Sequence, residues 1–164
     1  MATKLKAVPK DQAGGSGSRS PDVGDVELDC NVECPPLLPE GTYELGFVKA
    51  DLNKHLWGRS KLFLQFQVLD VGEHHGKLLF MSMNFPKNGS ISISSKFLQQ
   101  WMVAAGGPPA RRDRLSTRIF RGKVFAGRVR TVTSYVHSSG KLMDRDPSTY
   151  YSVVDHLIEV RAGR

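Results

Sequence analysis

Cysteine is nearly missing from this 164-residue chain: Cys30 and Cys34, in "CNVEC", are the whole complement. Two thiols cannot supply the disulfide frame of a small secreted domain. A structural zinc wants about four Cys or His ligands at matching spacing, which this neighbourhood does not offer. Both are read as reduced thiols, with a local disulfide as the alternative. Long apolar runs are also missing. No segment approaches the roughly 20 apolar residues that cross a bilayer, and "MATKLKAVPKDQAGGSGSRS" lacks the apolar core of a signal peptide. The expectation is a soluble, cytoplasmic protein without a membrane partner.

Catalytic motifs are the third absence. There is no phosphate-cradling glycine run, nucleophile elbow, His-Glu-x-x-His helix or zinc-deaminase spacing. Asp144, Asp146 and Asp155 suggest a nuclease centre only weakly, because Lys141 and Arg145 flank their loop and no Glu-x-Lys arrangement follows. His74 and His75 sit in a Gly-flanked turn with no third metal ligand in view. The chain is therefore read as a non-enzyme, with no cofactor and no metal.

What is present is positive charge, unevenly spread. The net charge is +7, yet residues 21–48 hold seven acids and no base, while residues 111–130 hold eight Arg or Lys against one acid. Like charges packed this closely repel, so an anionic partner is the expected use, with a solvated charged face as the competing reading. The Gly-, Ser- and Lys-rich opening has almost no large apolar residues and cannot repay the entropy of ordering. Residues 1–38 are read as a disordered N-terminal tail, basic and then acidic. The acidic part either folds back over a basic groove or serves as a solubilising linker.

From residue 39 onward the signals are those of one domain, 39–164. "TYELGFVKA" alternates Tyr43, Leu45 and Phe47 onto one face, and "KLFLQFQVLD" alternates Leu62, Leu64, Phe66 and Val68 against Lys61, Phe63, Gln65 and Gln67. In "KLLFMSMNF", Leu79, Met81, Met83 and Phe85 face inward, and the second and third strands read as a hairpin. "SSKFLQQWMVAAGG" changes period: Phe97, Leu98, Trp101, Met102 and Ala105 lie at helical spacing, with a serine cap at Ser94 or Ser95 and a Gly106–Gly107 stop. A strand over "GKVFAGRVRTVTS", a loop "YVHSSGKLMDRDPSTY" and a last strand "SVVDHLIEV" complete the chain.

Three strands, a helix and two strands predict a mostly β fold: a five-stranded OB-type barrel with one helix between strands 3 and 4. In such a barrel the face of strands 2 and 3, with the loops after strands 1 and 4, binds oligonucleotides. Both loops are long here. The first carries Lys54, Trp57 and Arg59, and the second carries Tyr135, His137, Lys141 and Arg145. Cations to follow phosphates and aromatic faces to stack bases are what single-strand binding needs.

The segments "LPEGTYELGFVKAD", "LFLQFQVLDVGEHHGKLLF", "RRDRLSTRIFRGKVFAGRVRTV" and "YSVVDHLIEV" resemble proteins of phages, plasmids and other mobile elements that are similar to OB-fold single-stranded DNA-binding proteins. The resemblance spans residues 39–160 and implies a role in DNA replication or recombination, beside replication or recombination proteins. It carries no binding residues across.

The expected binding set comes from the residues themselves: Lys54, Trp57, Arg59, Lys61, Phe63, Phe80, Arg111, Arg112, Arg114, Arg118, Arg128, Arg130, Tyr135 and Lys141. Arg128 and Arg130, two apart on a strand, should share one face, opposite Phe125, Val129 and Thr131, with Gly127 marking a bulge. Trp57 is the first aromatic assigned to stacking, then Phe63 and Phe80, which a tail or second subunit could cover instead. Trp101 is assigned to the core. The expected function is largely sequence-independent single-stranded DNA binding. RNA binding stays open, as do a homo-oligomer and an assembly module that docks an acidic protein on the basic face.

Overall fold

Alternating apolar residues build the sheet. In β2 (Ser60–Val68) the buried positions are Leu62, Leu64, Phe66 and Val68, and in β3 (Leu78–Phe85) they are Leu79, Met81 and Met83. The two strands pair antiparallel with Leu62 opposite Met83, Leu64 opposite Met81 and Phe66 opposite Leu79, so the hairpin puts one apolar face inward. The structure, a computed structural model, describes residues 35–53, 60–85, 90–111 and 113–163. The chain divides between Val32 and Glu33, and all described residues belong to the second unit.

β1 (Gly41–Asn53) is long enough to serve two neighbours. Its first half, Gly41 to Gly46, pairs with β4 (Lys123–Val132), and its second half, Leu45 to Asn53, pairs with β2. The register shifts between Phe47 and Lys49, and a bulge of this kind bends a strand and increases its twist. β7 (Tyr151–Gly163) adds to the far side of β4, giving an all-antiparallel order β3-β2-β1-β4-β7.

The five-stranded OB-type barrel expected from the sequence is seen as a five-stranded antiparallel sheet that does not close: among the described residues no backbone pairing joins β3 to β7. Side chains occupy the space where that ladder would run. The carboxamide of buried Gln100 reaches across and its Oε1 accepts from the Leu157 backbone N–H, while the rings of Phe80 and Tyr151 stack at 6.0 Å.

Gln100 belongs to α1 (Lys96–Ala105), which lies between β3 and β4 as the sequence indicates. Ser95 is the N-cap, its side chain accepting from Leu98 N–H, and Gly106 ends the helix in the left-handed conformation at φ 73°. The buried helix positions are Phe97, Leu98, Gln100 and Ala104. Ala105, expected inward, is exposed, and a polar residue takes part of the inner face because the sheet offers it an unpaired N–H. Trp101, expected in the core, is half-buried against it, with Nε1 donating to the Ser116 carbonyl at 3.2 Å.

Four phenylalanines tie the layers together: Phe47 of β1 meets Phe66 of β2 and Phe120, and Phe125 of β4 meets Phe66 and Phe120, at centroid distances of 5.7 to 6.2 Å. Phe120 closes a short 3-10 turn, Thr117–Phe120, and is wholly buried, while Arg118 within the same turn is exposed. Leu38, placed in the tail by the sequence reading, is buried too. Ser152 Oγ accepts from Leu38 N–H at 2.8 Å and donates to its carbonyl at 3.0 Å. Gly127 sits beside a register shift, where a Cβ would run into the Leu45 side chain.

The expected loop after strand 4 contains a hairpin of its own, β5 (Ser134–Val136) and β6 (Leu142–Asp144), with Tyr135 opposite Met143. Its strands are three residues each and mostly exposed, too short to leave an alternating pattern in the sequence.

Gln100→Leu keeps the volume but removes the acceptor, leaving Leu157 N–H buried and unpaired. The expected loss is about 1–3 kcal/mol in unfolding free energy, read as a lower urea midpoint at unchanged slope. An unchanged midpoint would show that the seam does not depend on Gln100.

Candidate functional site

On the outward face of β2 and β3, the aromatic residues left over from core formation are Phe63 and Phe80, each half-buried. Their rings meet edge to face at 6.0 Å. Phe80 also stacks with Tyr151 across the seam, the two planes inclined by 25°. The Arg145 guanidinium carbon lies 5.1 Å from the Tyr151 ring centroid and 5.5 Å from that of Tyr135 in β5. Phe63, Phe80, Tyr151, Arg145 and Tyr135 thus form one unbroken ribbon from the hairpin face, over the seam, to the β5–β6 hairpin. Offset aromatic pairs and cation–π contacts each contribute about 0.5–2 kcal/mol, so the ribbon is held in shape by its own contacts.

Lys61 lies two residues from Phe63 on the same face of β2, opposite Asn84 and Asn53. On the other flank, Val132 is directly opposite Tyr151, and Arg130 is two residues further along that face of β4, about 7 Å away at the usual strand rise. Arg128 and Arg130 are both exposed while Phe125 and Val129 are buried, as the strand period predicts. Thr131 is half-buried, and its N–H donates to Glu40 Oε1 at 2.9 Å.

Several cations of the basic stretch are engaged within the fold. Arg111 binds Asp113 through two nitrogens, at 2.7 and 3.1 Å, and holds that carboxyl below the usual carboxylate range. Lys123 Nζ donates to the Ala104 carbonyl at the C-terminal end of α1, where a cation suits the helix dipole. Arg130 Nε donates to Asp155 Oδ1 at 3.1 Å, and His156 Nδ1 lies 3.0 Å from Oδ2 of the same carboxylate. These contacts, His156 first and then Arg130, keep the Asp155 carboxyl below its ordinary range, against an opposing effect of partial burial. Lys96 stands nearby, its amine pushed down by burial and by Arg130 and raised in part by Asp155.

Arg114, Arg118 and Arg128 are exposed and make no ion pair among the described residues. Arg118 and Arg121 flank the buried Phe120, and among the described residues the cation over the rings of the ribbon is Arg145 and not Arg111, Arg114 or Arg118. Next to them, Leu115, Ser116 and Thr117 line a cavity of about 350 Å³ with Leu52, Leu62, Phe85 and Phe97. Lys141 is exposed at the hairpin turn, its carbonyl accepting from His137 N–H at 2.8 Å. Lys54, Trp57, Arg59 and Arg112 lie outside the described residues, as do Cys30 and Cys34.

Of the expected set, the structure therefore brings Phe63, Phe80 and Tyr135 together, with Lys61 and Arg130 at the flanks. The two residues that join them, Arg145 and Tyr151, were not in that set. The doublet Tyr150–Tyr151 at the start of the last strand was the available signal. One of the pair had to face outward, and the outward one meets strand 3 if the sheet curls. No group of His, Cys, Asp and Glu among the described residues is arranged to hold a metal ion. His74 instead lies 3.3 Å from Lys77 Nζ, and no helix among the described residues is long and apolar enough to cross a membrane.

Because the folded-state pKa of Asp155 is depressed, its contribution to stability is present above the ordinary carboxylate range and is lost as pH falls through and below it. Asp155→Asn should therefore flatten the fall in melting temperature between about pH 6 and pH 3. An equally steep fall in the variant would assign acid sensitivity to other carboxylates.

No protein-family model matches the chain, and no curated protein matches it.

Proposed function

We propose that this protein binds single-stranded DNA, largely without sequence preference, on an OB-type half-open barrel. The observation that carries the reading is the ribbon of Phe63, Phe80, Tyr151, Arg145 and Tyr135 on the outward face. Bases present two flat apolar faces and phosphates one charge each, so an exposed aromatic track with a fixed guanidinium suits a strand whose bases are unpaired. A duplex hides those faces inside its own stack.

Strand order supports the same reading. β1 pairs with both β2 and β4, and β7 lies beyond β4 and faces β3, which is the arrangement of a five-stranded barrel left open at one seam. The ribbon then lies on the strand 2 and strand 3 face and reaches the connection between the fourth and last strands, here the β5–β6 hairpin. The proposed setting is replication or recombination of a mobile element, in keeping with the resemblance of residues 39–160.

Binding should weaken steeply with salt, with a slope of about −0.7 in log K against log salt for each phosphate neutralised. Tyr135→Ala, at an exposed position, should cost about 1–3 kcal/mol of binding while leaving the fold intact. Fluorescence anisotropy with single-stranded DNA, duplex and RNA of one sequence reads both effects. Absent binding at low salt, or duplex bound as tightly as single strand, would end the proposal. RNA bound more tightly than DNA would redirect it to RNA.

A further inference from the structure

Arg145 stands where the β5–β6 hairpin rejoins the sheet, and its backbone is fixed on both sides. Its N–H donates to the Thr133 carbonyl at 2.8 Å, and the next residue, Asp146, caps the following 3-10 turn by accepting from Ser148 N–H at 2.8 Å. The side chain is fixed as well, through its contacts with the Tyr135 and Tyr151 rings. No carboxylate pairs with it among the described residues. Its Nε is the one buried side-chain nitrogen or oxygen there that lacks a hydrogen-bond partner.

A buried donor without an acceptor costs free energy in the unbound protein, and folded proteins retain very few. Here the buried Nε fixes one edge of a cation whose orientation is set by two aromatic faces, and the terminal nitrogens are left as the donors an anion can reach. Such a group offers a ready partner to an incoming anion, because little side-chain entropy remains to be lost on binding. A carboxylate or a phosphate would satisfy it. The neighbouring Phe80 and Tyr135 favour the phosphate, since a strand that places a phosphate there has bases on either side to use those rings, whereas an acidic peptide has none.

We infer that Arg145 is the phosphate anchor of this surface: one backbone phosphate of the bound strand accepts from the terminal nitrogens of the guanidinium, whose plane is held between the two tyrosine rings, and so sets where the strand lies on the ribbon. This rests on the nucleic-acid reading above and adds a fixed point to it. The exposed Arg114, Arg118 and Arg128 act as hydrated charges, whereas Arg145 acts through geometry.

The test compares Arg145→Lys and Arg145→Gln with the wild-type full-length chain, using a short fluorescein-labelled oligothymidylate over a salt series. Lysine keeps the charge but not the planar, stacked fork. Arg145→Lys should lose about tenfold in affinity at an unchanged salt slope, whereas Arg145→Gln should lose at least as much and show a slope shallower by about 0.7. Wild-type affinity in Arg145→Lys would overturn the anchor, leaving a plain charge, and so would an unchanged slope in Arg145→Gln.

A second measurement needs no variant to be well folded. In the wild-type protein the terminal guanidinium N–H resonance of Arg145 should move downfield and gain protection from exchange when the oligothymidylate is added. A stationary resonance beside shifting Tyr135 ring signals would also overturn the anchor. Polyglutamate that shifts the resonance equally and competes equally would replace the phosphate with an acidic protein partner. If the wild-type chain binds no strand at all, the nucleic-acid reading itself falls.

Discussion

The seam between β3 and β7 governs the rest of this fold. Two edge strands face one another without a shared backbone ladder, and unpaired strand edges buried from water are costly unless something else satisfies them. Gln100 does so from the helix, by accepting from Leu157 N–H, and the Phe80–Tyr151 stack covers the neighbouring stretch with apolar area. A helix between the third and fourth strands is thus more than a connector. Its single buried polar residue takes the place that a strand neighbour would fill in a closed barrel.

Filling the seam with side chains has a consequence for the outer surface. Phe80 must point outward from β3 to reach Tyr151, and Tyr151 must point outward from β7 so that Ser152 can point inward and hold Leu38. The aromatic ribbon therefore follows from the way the sheet curls, and its arginine follows from the way the hairpin returns to β7. Stability and surface chemistry share residues at Phe80 and Tyr151. They separate at Tyr135 and Arg145, which lie toward the hairpin.

Most of the sheet was legible in the sequence because one-sided burial writes a two-residue period, and β2 with β3 wrote it cleanly. The helix was legible through Ser95, Gly106 and the 3.6-residue spacing, although Gln100 and Ala104, and not Ala105, turned out to face inward. The hairpin β5–β6 was not legible, since three-residue exposed strands have no inner face to mark. Nor was Phe120, whose neighbours Arg118 and Arg121 made its surroundings read as a charged loop while the 3-10 turn drove its ring into the core. Half of the candidate site was visible as aromatics on an outward strand face. Of its connecting residues, Arg145 was visible only as one cation of the loop after strand 4, and Tyr151 not at all, because Tyr151 meets Phe80 through a seam that no local pattern describes.

Charge count proved a coarse guide for the same reason. The densest basic run, residues 111–130, sends Lys123 to a helix carbonyl, Arg111 to Asp113 and Arg130 to Asp155. Among the described residues, Arg114, Arg118, Arg121 and Arg128 there are exposed and in no ion pair, and interactions of such groups with an anion are weak singly and screened by salt. Arg145 lies outside that run, in a segment where acids and bases balance, yet it combines partial burial, a plane held against two rings and no ion pair among the described residues. Position in a dense run raises the local field that draws an anion in; a fixed geometry decides where the anion stops. Arg130 stands between these cases. It borders the ribbon beside Val132, but an anion arriving there must compete with Asp155, which is itself held in its charged form by His156 and Arg130. A strand lying on the ribbon would accordingly be held firmly at the hairpin end and loosely at the β4 end, since only the first of these cations is without an internal counter-ion.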